Sequence, residues 1–334
     1  MAVITSPILA KVSQLRPLNI LNDLPRVADL VEACFDGTMD AEGRDYIRRM
    51  RSAGKDRYFL HWAQNAVETA SMPLSGYVWV ENREVVGNVS LVPYKRAGKK
   101  VYLIANVAVR PDFRRRGIAR ALTTSAMQHA RQKRAAAIWL HVRDDNPGAV
   151  ALYLSLGFHE HTRRTLWQAA TARSLSPAGA GVTITARQRS DWLQQEAWLK
   201  QLYPDSLDWY HPIPWLSLRP GFGPALYRFF VEYETRQWAV RADGNGLQAA
   251  LAWLPAMGSA NRLWAAVPST GSDGALTALL LHARRTLTWQ KNLYLELPAG
   301  LAAEAITAAG FKPLRTLLWM QADETLLPDS RKSL

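Results

Sequence analysis

A single cysteine, Cys34, stands in a chain of 334 residues. That excludes an intramolecular disulfide and a metal cluster of the Cys/His type, so no metal is expected and a reducing cytoplasm is the natural setting. Long apolar runs are also missing. No stretch approaches the ~20 residues needed to span a bilayer, and residues 1–11 carry no basic leader ahead of an apolar core. The expectation is a soluble cytoplasmic protein that does not enter a membrane. Acidic side chains are in deficit, 28 Asp and Glu against 41 Lys and Arg, for a net charge of +13. The deficit is uneven: residues 1–170 hold 25 basic against 15 acidic side chains, and residues 171–334 hold 16 against 13. A positive first half suits a polyanionic cofactor, nucleic acid or an acidic protein, and charge alone does not separate these.

What is present is ordinary for a folded protein: 48% hydrophobic and 21% charged residues. The length predicts two domains of roughly 150 residues. The informative stretch is 101–158. Residues 101–109 are apolar apart from Asn106 and rich in β-branched side chains, which predicts a strand buried on both faces. Pro111 ends strand pairing, and from Gly117 onward Ile118, Ala121, Leu122, Ser125 and His129 recur at helical spacing. Strand therefore turns into helix across Arg114, Arg115, Arg116, Gly117, Ile118, Ala119 and Arg120. Three arginines beside the positive end of a helix dipole disfavour folding unless an anion binds there. Gly117 and the small Ala119 admit a ligand close to the backbone, and first-turn amides point outward as donors. Taken alone, the same run reads equally as a solvated basic turn.

Residues 137–143 alternate, with Ile138, Leu140 and Val142 on one face and Trp139, His141 and Arg143 on the other, as a second strand. Asn146-Pro147 then supplies an N-cap and a first-turn proline. Ala149, Leu152, Tyr153 and Leu156 form a helix face before Gly157 stops it and Phe158 opens a further strand.

Arg114-x-x-Gly117-x-Ala119 followed by Asn146-x-x-Ala149-x-x-Leu152-Tyr153-x-x-Leu156-Gly157-Phe158 resembles the GNAT superfamily of acetyl-coenzyme A dependent N-acetyltransferases. Within it, residues 106–167 look most like the ribosomal-protein alanine N-acetyltransferases; Ala119 stands where glycine is common. The resemblance implies an α/β fold, a mixed sheet flanked by helices. It also implies acetyl-coenzyme A as acyl donor, held at Arg114 to Arg120 by backbone amides and charge. Val107, Ala108 and Val109 would pair with the pantetheine arm as an added strand does.

Single residues keep their plainer readings beside the implied ones. Asn146 serves as an N-cap; the resemblance implies a pantetheine contact as well. Tyr153 lies on an apolar helix face as a core tyrosine would, while its GNAT counterpart protonates the departing thiolate. His141 suits a structural or surface histidine. In the alanine-acetylating relatives the matching residue is a glutamate thought to deprotonate the amine, and a histidine, with a reference pKa of ~6.5, suits that work too. The departure from glutamate puts peptide specificity in doubt. His129 and His282 have no metal-ligand spacing around them.

Along the rest of the chain, residues 15–19 predict a strand, residues 23–35 and 40–52 helices, and 76–81 with 84–94 a hairpin turning at Asn82-Arg83, followed by a basic loop at 95–100. Residues 168–181 lose periodicity and fill with small side chains, as a linker does. The plan then repeats. Residues 182–187 predict a strand, a helix opens at Ser190-Asp191-Trp192, and 237–242 with 247–254 form a hairpin. His129 and His282, Gly157 and Gly310, and Phe158 and Phe311 are each 153 residues apart. The chain therefore reads as two tandem GNAT-like domains: a catalytic one at 1–168, a linker at 169–181, a second at 182–322 and a tail at 323–334. The second lacks the chemistry. Pro268 to Gly274 carries no cation, Ala299 corresponds to Asn146, and Ile306 to Tyr153. Most aromatics of 203–233 suit core packing.

The function expected is acetyl transfer from acetyl-coenzyme A to a primary amine, on a small molecule or a protein N-terminus. The alternative is an acyl-coenzyme A binding regulator without turnover. Nucleic-acid binding is a weaker third.

Overall fold

The computed structural model describes residues 14–66, 73–170, 182–210, 212–221, 235–242, 246–254, 261–270, 272–290 and 292–323. The described chain is mixed α/β and forms two compact units. The first comprises Met1–His161 with Leu318–Leu334, and the second Thr162–Leu317. Most of the expected linker, 171–181, lies outside the described residues, as do 222–234 of the aromatic segment, the turn at 243–245 and the tail beyond 323.

The first unit runs β1 (Leu15–Pro17), α1 (Ile20–Phe35), α2 (Ala41–Ala53), α3 (Arg57–Ala66), β2 (Ser75–Glu81), β3 (Glu84–Arg96), β4 (Lys99–Val109), α4 (Ile118–Gln132), β5 (Ala137–Arg143) and α5 (Pro147–Leu154). Strands β1 to β5 lie side by side in chain order, and residues 318–322 follow next to β5. Strands β1 to β4 pair antiparallel and β4 pairs β5 in parallel. One sheet face packs on α1 and α2 through Leu24, Val27, Val31, Ile47, Val78 and Ala108. The other packs on α4 through Leu91, Ile104, Ile118, Leu122, Ile138 and Leu140, and the same core takes in Leu318, Met320 and Ala322.

Several elements depart from their expected bounds. Helix α1 starts three residues before Asp23, because the Asn19 side chain caps it by accepting from Leu21 N. Asp23 is instead buried and accepts twice from the Arg16 guanidinium, at 2.6 and 2.8 Å, and from Asn19 N at 2.9 Å. Strand β1 stops at Pro17, and the stretch beyond the second helix holds a third, α3. The basic loop at 95–100 is the end of a hairpin: Ala97 and Gly98 both take positive φ, as the tightest hairpin turns require, and so do Asn82 and Arg83 in the turn before. Trp139, on the β5 face opposite Ile138, Leu140 and Val142, is also fully buried.

The second unit holds β6 (Phe158–Ala169) from Thr162 on, β7 (Ile184–Ala186), α6 (Trp192–Leu202), α7 (Trp215–Leu218), β8 (Arg236–Arg241), β9 (Leu247–Leu254), β10 (Asn261–Ala266), α8 (Asp273–Thr286), β11 (Leu293–Pro298), α9 (Ala303–Ala308) and β12 (Phe311–Ala322) up to Leu317. Its strands run β6-β11-β10-β9-β8-β7, with β10 and β11 parallel. Leu276, Leu279, Leu280 and Ala283 of α8 pack on Leu251, Leu263 and Leu295, while Leu199 of α6 packs with Ala250, Ala252 and Trp264 on the other face. Both units thus place one helix between two parallel strands.

Candidate active site

The site is built on a fault in a ladder. Gly87 faces Val109 and Asn88 faces Ala108, but Ser90 faces Ala105, so two residues of β4, Asn106 and Val107, stand against one of β3. This is a β-bulge. Asn106 sits there in the left-handed region, φ 51°, and Ala105 to Val107 are half-buried between the buried stretches 101–104 and 108–109. On its other side β4 pairs with β5 only from Val101↔Ala137 to Ile104↔Leu140. Beyond that rung β4 continues to Val109 and β5 to Arg143 without pairing to each other. Arg110 N donates to Val86 O across β3, so by alternation the backbone groups of Val107 and Val109 turn toward the open side. The Val109 carbonyl already accepts there, from Arg114 Nε at 3.0 Å and Cys34 Sγ at 3.4 Å.

Past Val109 the chain turns through Pro111–Phe113 and enters α4. Arg115 (φ 64°) and Gly117 (φ 78°) are both left-handed, a sequence of conformations that gathers successive amides on one side. Nothing crowds Gly117: a Cβ there would meet no atom within 4 Å, so only its backbone conformation calls for glycine. No side chain caps α4 and no acid lies in its first turn. The first helical bond runs from Ala121 N to Gly117 O, leaving the amides of Ile118, Ala119 and Arg120 as outward donors. Arg116 Nη2 donates to Asp112 O at 3.1 Å with its guanidinium 4.8 Å from the Phe113 ring. Arg120 Nη2 donates to Ser155 Oγ at 2.7 Å. Arg115 is exposed, with no partner among the described residues.

Asn146 is exposed and caps α5, its Oδ1 accepting from Ala149 N at 3.2 Å, with Pro147 at the first helical position. Tyr153 is buried on that helix and its ring lies edge-on to Phe158 at 6.1 Å. Burial raises its phenol above the ordinary tyrosine range, and its hydroxyl has no hydrogen-bond partner among the described residues. His141 is half-buried on β5, one residue past the last β4–β5 rung, and its ring lies 4.9 Å from that of Trp319. Trp139, two residues earlier, is met by His161 at 4.9 Å. The sheet and its two helices thus assemble the expected residues within one unit: Val107 to Val109 on the open edge of β4, the arginines and Gly117 at the head of α4, and Asn146 with Tyr153 on α5. Two things were missed. The bulge was signalled only by a polar Asn106 in an apolar run, and nothing local announced that Trp319, 178 positions downstream of His141, would face it.

His129 stacks edge-on against Tyr77 and Tyr102, with Tyr77 Oη 3.3 Å from its Nδ1, and His282 packs against Trp238 at 5.3 Å. In the second unit, α8 is also uncapped but carries Asp273 in its first turn, and Ile306 is fully buried at the position matching Tyr153. Among the described residues no cluster of three His, Cys, Asp or Glu is placed to hold a metal, and no helix is long and apolar enough to cross a membrane.

Residues 35–158 match the Acetyltransferase (GNAT) family. Over 59 residues the chain is 46% identical to the [ribosomal protein bS18]-alanine N-acetyltransferase of Escherichia coli (strain K12), a match spanning 18% of this chain and 40% of that protein. Two solved structures share the fold along most of the length. One is a tandem GNAT protein from the clavulanic acid biosynthesis pathway, with TM-score 0.50, 16% identity, and coverage of 92% of this chain and 98% of that one. The other is a GCN5-related N-acetyltransferase from Sphaerobacter thermophilus, with TM-score 0.54, 13% identity, and coverage of 94% and 96%.

Proposed function

Through residues 35–158 the chain belongs to the GNAT acetyltransferase family, and from that premise we propose that its first unit transfers an acetyl group from acetyl-coenzyme A to a primary amine. The observation that carries this reading is the continuity of the open β4 edge with the uncapped head of α4. A strand edge with free backbone groups accommodates an extended pantetheine arm. Directly beyond it lie three outward amides, Gly117 in a left-handed turn and four arginines, which suit a pyrophosphate. In this reading Val107 and Ala108 flank the arm, together with the amide side of Val109, whose carbonyl is already engaged. Asn146 reaches the arm with its amide nitrogen while its oxygen caps α5.

Each side chain then has one proton to handle. The amine acceptor arrives as an ammonium ion, and His141 takes its proton before or during attack on the thioester carbonyl. Tyr153, kept protonated by burial, gives its proton to the sulfur as the thiolate leaves. As the C–S bond breaks the nitrogen gives up its second proton, which restores the Tyr153 phenol, and the first passes from His141 to solvent; the products are an amide, free coenzyme A and one proton. The acceptor class is a primary amine, of a small molecule or a peptide N-terminus. The Escherichia coli relative is named for an alanine of a ribosomal protein, so a peptide with N-terminal alanine belongs in the first panel of acceptors. The second unit, with Asp273 at its helix head and Ile306 in place of the acid, contributes fold and no second reaction centre.

The test is thiol release from acetyl-coenzyme A across a panel of small amines and N-terminal peptides. Saturable release with at least one amine, abolished in His141→Ala combined with Tyr153→Phe, supports the reading. Tight binding of acetyl-coenzyme A with no release above background across the panel would favour the regulator without turnover.

A further inference from the structure

The bulge in β4 carries more polar contact than a strand irregularity needs. Asn106 holds a backbone conformation that residues with a Cβ rarely adopt, and it is tied down at both ends. Its Nδ2 donates to Tyr46 Oη at 2.6 Å and to Ser90 Oγ at 3.3 Å. Its carbonyl accepts from Asn88 Nδ2 at 2.9 Å, and Asn88 Nδ2 also lies 3.3 Å from Ser90 Oγ. Asn88 and Ser90 come from β3, fully buried, whereas Tyr46 comes from α2. Asn88 Oδ1 is itself buried with no partner among the described residues, so its amide is aimed by what its nitrogen holds and not by its own saturation.

The cluster lies where two registers change. On one side the β3–β4 ladder shifts between Asn88 and Ser90. On the other the β4–β5 ladder ends at Ile104, two residues before Asn106. Ala108, two residues after it, is buried against the α1–α2 core, so the strand past the bulge is anchored to the helix layer that supplies Tyr46. We infer that Tyr46 is a positioning residue: by its hydrogen bond to Asn106 it locks the left-handed turn that takes β4 off β5 and keeps that strand edge open for the acyl donor. This rests on reading the open edge as the acetyl-coenzyme A site. Burial pushes the Tyr46 phenol up to about 12, so the contact persists unchanged across the neutral range.

The experiment compares the full-length chain with Tyr46→Phe, Asn106→Gly and the double variant. Two readouts are used: amide hydrogen exchange without ligand, and acetyl-coenzyme A affinity by calorimetry. Phenylalanine keeps the ring and removes the acceptor. It should raise exchange at Ala108 and Arg110, whose backbone faces β3 past the bulge, by about fivefold or more, the factor one ordinary hydrogen bond supplies, and weaken acetyl-coenzyme A by a similar factor, while α4 amides stay protected. Glycine at 106 holds a positive φ without help, so in that background Tyr46→Phe should change neither quantity. Unchanged exchange in Tyr46→Phe, or the same change in both backgrounds, would overturn the inference. A wild-type chain that binds no acetyl-coenzyme A would refute the proposed function, and the exchange data would still decide on the lock.

Discussion

The imidazole of His141 and the indole of Trp319 lie 4.9 Å apart, although 178 positions separate them in the chain. Leu318, Met320 and Ala322 beside that indole belong to the core that holds α4 on the first sheet. The first unit is therefore incomplete without the end of the last strand. Trp319 is 1% exposed, and Trp319→Ala should cost about 3–5 kcal/mol, read as a lower urea midpoint. A fragment of residues 1–168 should lack cooperative unfolding. A fragment that unfolds as sharply as the intact chain would contradict this.

Gly117 tests the cradle by its backbone alone. Its φ of 78° lies outside what proline allows, and no atom would obstruct a Cβ. Gly117→Ala should therefore lose about 1–2 kcal/mol through left-handed strain, with a modest fall in acetyl-coenzyme A affinity. Gly117→Pro should lower that affinity at least tenfold. Calorimetry on both variants checks the order; equal affinities in proline, alanine and wild type would dismiss the head of α4 as the anion site.

Tyr153→Phe removes the proposed proton donor and keeps the ring. Turnover should fall by ~10²–10⁴-fold with acetyl-coenzyme A affinity nearly unchanged. The same group makes a stability prediction. Its folded pKa is raised by burial, so its contribution is complete below the unfolded value of ~10 and is lost as pH rises beyond it, where only the unfolded chain ionises. Urea midpoints at pH 9, 10 and 11 should fall less steeply in Tyr153→Phe than in wild type. Identical slopes would contradict the buried assignment.

Asp23 makes the opposite prediction. Burial raises its pKa, but hydrogen bonds from Arg16 and Asn19 N and the nearby positive charge lower it further, leaving it below the usual carboxylate range. Its stabilisation is thus present above ~3.9 and is lost as pH falls through the lower folded value. Asp23→Asn should cost about 1.5–3 kcal/mol at neutral pH, the range for charge-assisted bonds, and should flatten the acid limb of stability. A variant with wild-type stability at pH 7 would show the pair to be dispensable.

The parts legible in the sequence were those fixed by neighbours in the chain. The bounds 137–143 match β5 residue for residue, Asn146-Pro147 opens α5 because capping is a local property, and Gly157 takes its positive φ in the turn that follows the helix end at Leu154. The start of α1 was misread because Asp23 looks like a cap but is claimed by Arg16, a contact no local pattern reveals. The bulge was hidden for a related reason. A register shift shows only against the partner strand, and Asn106 alone could not announce Tyr46, Ser90 and Asn88 around it. Trp319 was the least legible, since its place beside His141 depends on which sheet receives the last strand.

The proposed function assigns the chain one acetyl-coenzyme A site, at the β4–α4 junction of the first unit. Isothermal titration of the intact protein with acetyl-coenzyme A tests it most directly. One molecule should bind per chain, and Gly117→Pro should lose that binding; two sites of similar affinity, or one site untouched by Gly117→Pro in a folded variant, would refute the assignment.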